Sequence, residues 1–193
     1  IPYTESLKEE FQKGLRPWLY DLHTKKPDIL MGKSYWSITP AITMKQFSSG
    51  GIPIGFEEDS SYFGAFEKKL IDLIFAVPKE VNQSKDIYTF YMETSIYLLL
   101  CRNLTLISIW NPSFLFLILK FMHREGDNLI NIIHKKDPKR AEEVEELLKK
   151  EDYQGLWPNL ELISCWLDGN AIIHEKQLKR WFPRVFIQPK GIL

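Results

Sequence analysis

The sequence predicts an α/β fold, a mainly parallel β-sheet flanked by helices. Two observations carry this. Leu104-Thr105-Leu106-Ile107-Ser108-Ile109-Trp110 is mostly hydrophobic at both alternating sets of positions, as in a strand covered on both faces. Leu160–Trp166, a break at Asp168-Gly169, a helical stretch through Leu178 and Trp181, and Val185–Gln188 then follow with short turns. That order is a βαβ unit, which joins parallel strands by a right-handed crossover.

The remaining elements follow from local chemistry. Thr4 can cap a first helix, with Leu7, Phe11, Leu15, Trp18, Leu19 and Leu22 near helical spacing, although Gly14 and Pro17 weaken it. Lys25-Lys26-Pro27-Asp28 is a turn. Ser34–Thr39 is rich in β-formers and stops at Pro40, so it reads as a strand. Residues 43–59, with Ser48-Ser49-Gly50-Gly51, are expected to form a long functional or mobile loop. A helix carrying Phe63, Phe66, Leu70, Leu73, Ile74 and Val77 should follow Ser60-Ser61 and end at Pro78. A buried helix spans about Ile87–Cys101. Asn111-Pro112 is a strong helix start, with Asn at the cap and Pro in the first turn. That helix runs to about Met122, and two more cover 126–134 and 138–150. Glu142, Glu143, Glu145 and Glu146 among Lys and Arg mark a solvated face.

Composition excludes several classes. The 193 residues carry 25 Lys+Arg against 25 Asp+Glu, and 13% are aromatic. Disorder needs few aromatics and a charge excess, and a nucleic-acid binder usually shows a basic surplus; neither pattern is present. Phe114–Met122, the most apolar stretch, contains Lys120 and is about half the length a membrane span needs. No signal-peptide pattern opens the chain. Cys101 and Cys165 each sit in an apolar run at no metal spacing, which favours buried structural thiols in a reducing cytoplasm. The chain opens at Ile1-Pro2-Tyr3 and closes on Ile192-Leu193 just past a strand, as expected of an internal segment of a longer protein.

Ligands of open α/β sheets bind beyond the carboxyl ends of the strands. Two such ends are candidates. At Trp110-Asn111-Pro112-Ser113, the Asn111 amide and Ser113 hydroxyl would sit over a helix N-terminus, which suits an anion or simply a helix cap. At Asp168-Gly169-Asn170-Ala171, glycine would let a flat ligand approach the backbone; the alternative is a tight turn with an Asp cap. His23, His123, His134 and His174 are at no metal spacing, and surface or helix-end roles suit them. No G-x-S-x-G, H-E-x-x-H or P-loop occurs, and no hydrolase triad assembles.

Five segments in order carry a family resemblance. They are Ser34-Tyr35-Trp36-Ser37-Ile38-Thr39-Pro40-Ala41, Gly51-Ile52-Pro53-Ile54-Gly55-Phe56-Glu57 and Leu106-Ile107-Ser108-Ile109-Trp110-Asn111-Pro112-Ser113-Phe114. The fourth runs from Trp157-Pro158-Asn159-Leu160 through Ile163-Ser164-Cys165-Trp166-Leu167-Asp168-Gly169, and the fifth is Ile187-Gln188-Pro189-Lys190-Gly191. Together they resemble the Gretchen Hagen family, the auxin-responsive acyl acid amido synthetases of plants, and its bacterial branch more than its plant one.

The resemblance implies the large N-terminal domain of an adenylate-forming, luciferase-like enzyme. Such a ligase uses ATP and Mg2+ to turn a carboxylic acid into an acyl-adenylate, which the amine of an amino acid attacks to give an amide. The family's phosphate loop is expected just before Ile1, its Glu-bearing motif just after Leu193, and a third motif further on. Residues 1–193 would then be one α/β segment between the first two motifs. By resemblance, Trp110, Asn111, Pro112 and Ser113 form the acyl-acid wall, and Asp168, Gly169, Asn170 and Ala171 the adenine side. No catalytic residue or metal ligand is expected here, so the isolated segment should be inactive and hold neither ATP nor Mg2+. The implied partners are a small carboxylic acid and an amino acid, with no nucleic acid and no membrane, in the cytoplasm. The alternative is a non-catalytic α/β ligand-binding or interaction module.

Overall fold

The computed structural model describes residues 5–37, 46–47, 53–54 and 74–190. Helix α1 spans Glu5–Lys25, and a 3-10 turn over Pro27–Met31 leads into β1, Lys33–Trp36. Strands β2, Gln46–Phe47, and β3, Pro53–Ile54, form a short antiparallel pair. Helix α2, Ile87–Leu100, precedes β4, Leu104–Ser108. Then come α3 Pro112–Arg124, α4 Gly126–His134, α5 Pro138–Lys149 and α6 Tyr153–Leu156. Strand β5, Leu162–Cys165, a 3-10 turn over Gly169–His174, α7 Glu175–Trp181 and β6 Phe186–Pro189 complete the order.

The main sheet has strand order β1-β4-β5-β6 and every pair is parallel. Ile107 sits opposite Tyr35 on one side and Ile163 on the other, and Cys165 opposite Pro189. All residues of β4 and β5 are buried, which matches their unbroken apolar reading. The fold is therefore the α/β class expected from the sequence, and the β5–α7–β6 unit is parallel as its spacing required.

Two layers cover the sheet. On one face, Leu22 of α1 and Ile29 of the following turn pack on Leu106 and Leu162, with Trp18 against them. On the other, Ile107 and Ile163 join a larger cluster with Leu98, Leu115, Ile118, Leu129, Val144, Trp157 and Phe182. The wholly buried Trp157 donates its indole N–H to the Leu98 carbonyl oxygen at 2.9 Å. Arg140 is only 2% exposed; its Nε and one terminal nitrogen donate to the Leu99 and Leu156 carbonyl oxygens, each at 2.6 Å. A buried guanidinium thus satisfies carbonyls at the ends of α2 and α6, groups a helix cannot pair internally.

Four expectations need adjustment. The 43–59 loop contains the β2–β3 pair, since a two-residue ladder is too short to leave an alternating pattern. The helix expected through Val77 is over by Phe75, which bridges parallel to Ser34, while the Ala76 N–H donates to the Ser34 carbonyl oxygen at 2.9 Å. Helix α1 runs through Pro17. The helix after Asp168-Gly169 begins as a 3-10 turn. Most of the Phe63–Ile74 helix, the Ser48–Gly51 stretch, Ile38–Pro40 and Gly191 lie outside the described residues. Among the described residues, no helix is long and apolar enough to cross a membrane.

Candidate functional site

Because all four strands run the same way, their carboxyl ends share one edge. The two expected turns emerge there side by side. The Ile109 N–H donates to the Ser164 carbonyl oxygen at 2.9 Å, and the Trp166 N–H to the Trp110 carbonyl oxygen at 2.8 Å. Ladder-like pairing thus continues past β4 and β5 until the chains turn away. The indoles of Trp110 and Trp166 then meet edge to face, with centroids 5.0 Å apart.

The first turn is built by its own helix cap. The Asn111 side-chain oxygen accepts from the Ser113 N–H at 2.9 Å, and Pro112 is buried in the first helical turn. The capping reading of Asn111 is therefore what the structure displays, and the Ser113 N–H is already engaged. Trp110 remains 50% exposed, so its ring offers a surface at this edge.

The second turn is shaped by glycine. Gly169 has φ +57, and among the described residues no atom beyond its chain neighbours lies within 4 Å of where a Cβ would sit. Backbone there is open to a flat neighbour, and glycine holds that left-handed conformation without the strain most side chains would meet. The Asp168 carboxylate makes no capping bond; its carbonyl oxygen accepts from the Ala171 N–H at 3.2 Å. Asp168 and Asn170 are exposed and Ala171 is buried. The end of this turn is seated on α3, where His174 lies 5.1 Å from the Phe116 ring, edge on.

Sequence reasoning missed Lys190. Its N–H donates to the Cys165 carbonyl oxygen at 2.8 Å, while its Nζ donates to Ser108 Oγ at 2.8 Å and to the Ile109 carbonyl oxygen at 3.2 Å. The ammonium also lies over the rings of Trp110 and Trp18, 5.4 and 6.0 Å from their centroids. The available signal was a lone lysine directly after an apolar strand. Trp18 and Trp36 are half-buried near this edge with centroids 5.9 Å apart.

The other candidate groups are structural. Cys165 is fully buried, and desolvation pushes its thiol up to about 12. Burial also raises the Cys101 thiol. Both cysteines are free thiols. His123 and His134 are exposed, and the His23 side chain lies outside the described residues. Among the described residues, no cluster of His, Cys, Asp or Glu has the makings of a metal site. A cavity of about 210 Å³, open space included, lies by Tyr35, Trp36, Asn82, Phe90 and Thr94; neither turn contributes to it. Among the described residues, the Tyr35 and Thr94 hydroxyls are buried without a hydrogen-bond partner.

Comparison with known proteins adds to this geometry. The model of the GH3 family N-terminal domain matches residues 1–137. Among solved structures, "AtGH3.15 acyl acid amido synthetase in complex with 2,4-DB" superimposes with a TM-score of 0.78 at 15% identity, over 100% of this chain and 38% of its own. "GH3.15 acyl acid amido synthetase" gives 0.80 at 15% identity, over the same shares. This likeness shows the fold, and the chain spans 38% of the length of these structures. No curated protein matches.

Proposed function

The chain belongs to the GH3 family through its N-terminal domain, and from that premise we propose that it is part of an ATP-dependent acyl acid amido synthetase. The enzyme would adenylate a small carboxylic acid and pass the acyl group to the amine of an amino acid. The observation that carries this reading is the contact between the two turns, where the Trp166 N–H meets the Trp110 carbonyl oxygen at 2.8 Å. An acid must meet the α-phosphate of a nucleotide held beside it, so acid and nucleotide sites have to be neighbours.

In this reading Trp110, Asn111, Pro112 and Ser113 form the acid wall. Asp168, Gly169, Asn170 and Ala171 face the adenine. The bare Cβ direction of Gly169 suits a flat base, and the half-exposed Trp110 suits an apolar acid. The fit of the described residues stops at the base. They offer no carboxylate cluster for Mg2+. By the family resemblance, the groups that hold the metal and triphosphate would lie outside residues 1–193, this α/β segment being one part of the enzyme. ATP bound there would supply the adenylyl group that activates the acid, with pyrophosphate as the leaving group; the residues here would bind and orient. The same reading makes the protein a cytoplasmic enzyme, a relative of the bacterial branch, with a carboxylic acid and an amino acid as partners.

The test is acid-dependent ATP–pyrophosphate exchange by the complete gene product, against a panel of carboxylic acids. Exchange with at least one acid is expected. No exchange with any acid, in folded protein that still binds ligands, would favour a non-catalytic binding module instead.

A further inference from the structure

Lys190 ties together three strand ends. It directly follows β6, its backbone N–H is held by the last carbonyl of β5, and its ammonium crosses β5 to reach β4. There it donates to the hydroxyl of Ser108, the last residue of β4, and to the next carbonyl, that of Ile109. Both acceptors lie in the two residues before Trp110, and the ammonium lies over the Trp110 ring as well. A lysine side chain gives up much rotamer freedom when it is held, so one fixed by several contacts at once is an anchor rather than a solvated tail.

We infer that Lys190 is a positioning residue for the acid side of the site, fixing the Trp110 wall through Ser108 and Ile109; this rests on the function proposed above. Trp110 is half-exposed, and its ring meets that of Trp166 edge to face. A wall of this kind selects a substrate only if its ring stays in place, because a binding group displaced by about 1 Å loses much of its effect. The ammonium grips the backbone before the ring and the face of the ring itself. It acts on the acid through Trp110 and not by direct contact.

The test compares Lys190→Met and Lys190→Arg in the complete gene product. Lys190→Met is expected to raise KM for an accepted acid about tenfold, the scale of one charge-assisted hydrogen bond, while KM for ATP stays within about twofold. Lys190→Arg should recover most of that loss. Independently of activity, amide exchange at Ile109 and Trp166 should speed up in Lys190→Met relative to Ile107 and Ile163 in mid-strand. An unchanged acid KM with unchanged exchange overturns the inference. So do equal rises in both KM values that follow a fall in Tm and are not rescued by arginine. If the wild-type protein shows no acid-dependent exchange of pyrophosphate, the proposed function falls and the amide-exchange arm decides: no acceleration at Ile109 and Trp166 removes the anchoring role too, and acceleration retains it.

Discussion

Trp110 and Trp166 are bound twice, once through the backbone, N–H to carbonyl at 2.8 Å, and once through their rings, 5.0 Å apart and edge to face. The ring contact is worth about 0.5–1.5 kcal/mol beyond the area it buries. Trp166 is half-buried, so Trp166→Ala is expected to destabilise the protein by about 2 kcal/mol, less than the ~3–5 kcal/mol of a fully buried tryptophan. Urea denaturation measures this, and the near-ultraviolet circular dichroism of the indole pair should fall with it.

The two turns should separate nucleotide from acid. In the complete gene product, Gly169→Val is expected to raise KM for ATP. Part of that comes from strain, since φ +57 costs a side chain about 1–2 kcal/mol. Gly169→Asn, which tolerates that φ, isolates crowding from strain. Ser113→Trp should mainly change which acid is accepted. Steady-state kinetics with several acids decides, and two silent substitutions in folded protein would remove both assignments.

The isolated 193-residue chain is expected to show no ATP–pyrophosphate exchange with any acid, because its sequence carries no phosphate loop and no Glu-bearing nucleotide motif of the family pattern. Exchange by the pure segment, above a heat-killed control, contradicts this.

Arg140→Met should be strongly destabilising. It removes two hydrogen bonds to the buried Leu99 and Leu156 carbonyl oxygens, and each orphaned acceptor costs about 1–3 kcal/mol. A loss of about 3 kcal/mol in the unfolding free energy is expected, read from the denaturation midpoint at constant slope.

Acid should unfold the protein through helix caps and surface pairs. The Asp86 carboxyl is held low chiefly by the Thr89 N–H, and Asp137 chiefly by the Arg140 N–H. Glu143 is lowered chiefly by its hydrogen bond from Arg102, and Glu125 by that from Asn128. A carboxyl with a lower pKa folded than unfolded contributes stability that is complete above the unfolded value. That contribution is lost as pH falls through the folded one. The melting temperature should therefore be flat down to about pH 5 and decline below it. The buried Cys165 thiol, raised to about 12, should resist alkylation at pH 8 until denaturant is added.

The sheet was legible because its signals are local and strong. Leu104–Trp110 has no polar face, and Asn111-Pro112 admits one structure, so β4 and α3 were placed within two residues. The position of the two turns followed from strand polarity alone. What escaped was long-range. Nothing near Lys190 in sequence announces Ser108 or Ile109, and nothing in Phe75 announces its bridge to Ser34. The Arg140 bonds reach from α5 to α2 and α6, and a lone arginine within a charged helix reads as solvated until its partners are in place.

The parallel order also shapes how the chain assembles. Lys33 pairs with Leu104, Leu106 with Leu162, and Leu162 with Phe186, so no strand of the main sheet has a sequence-adjacent partner to zip onto. Each pairing must first close a long loop, and that entropy is spent before any ladder bond is gained. On a ribosome, β1 emerges long before β4 and must wait for its ladder partner, with the Phe75 bridge to Ser34 the earlier contact. Until then, among the described residues, the helices and the short β2–β3 pair are what the nascent chain can form from neighbours, and the carboxyl edge that carries both turns and Lys190 is completed last, when β6 docks.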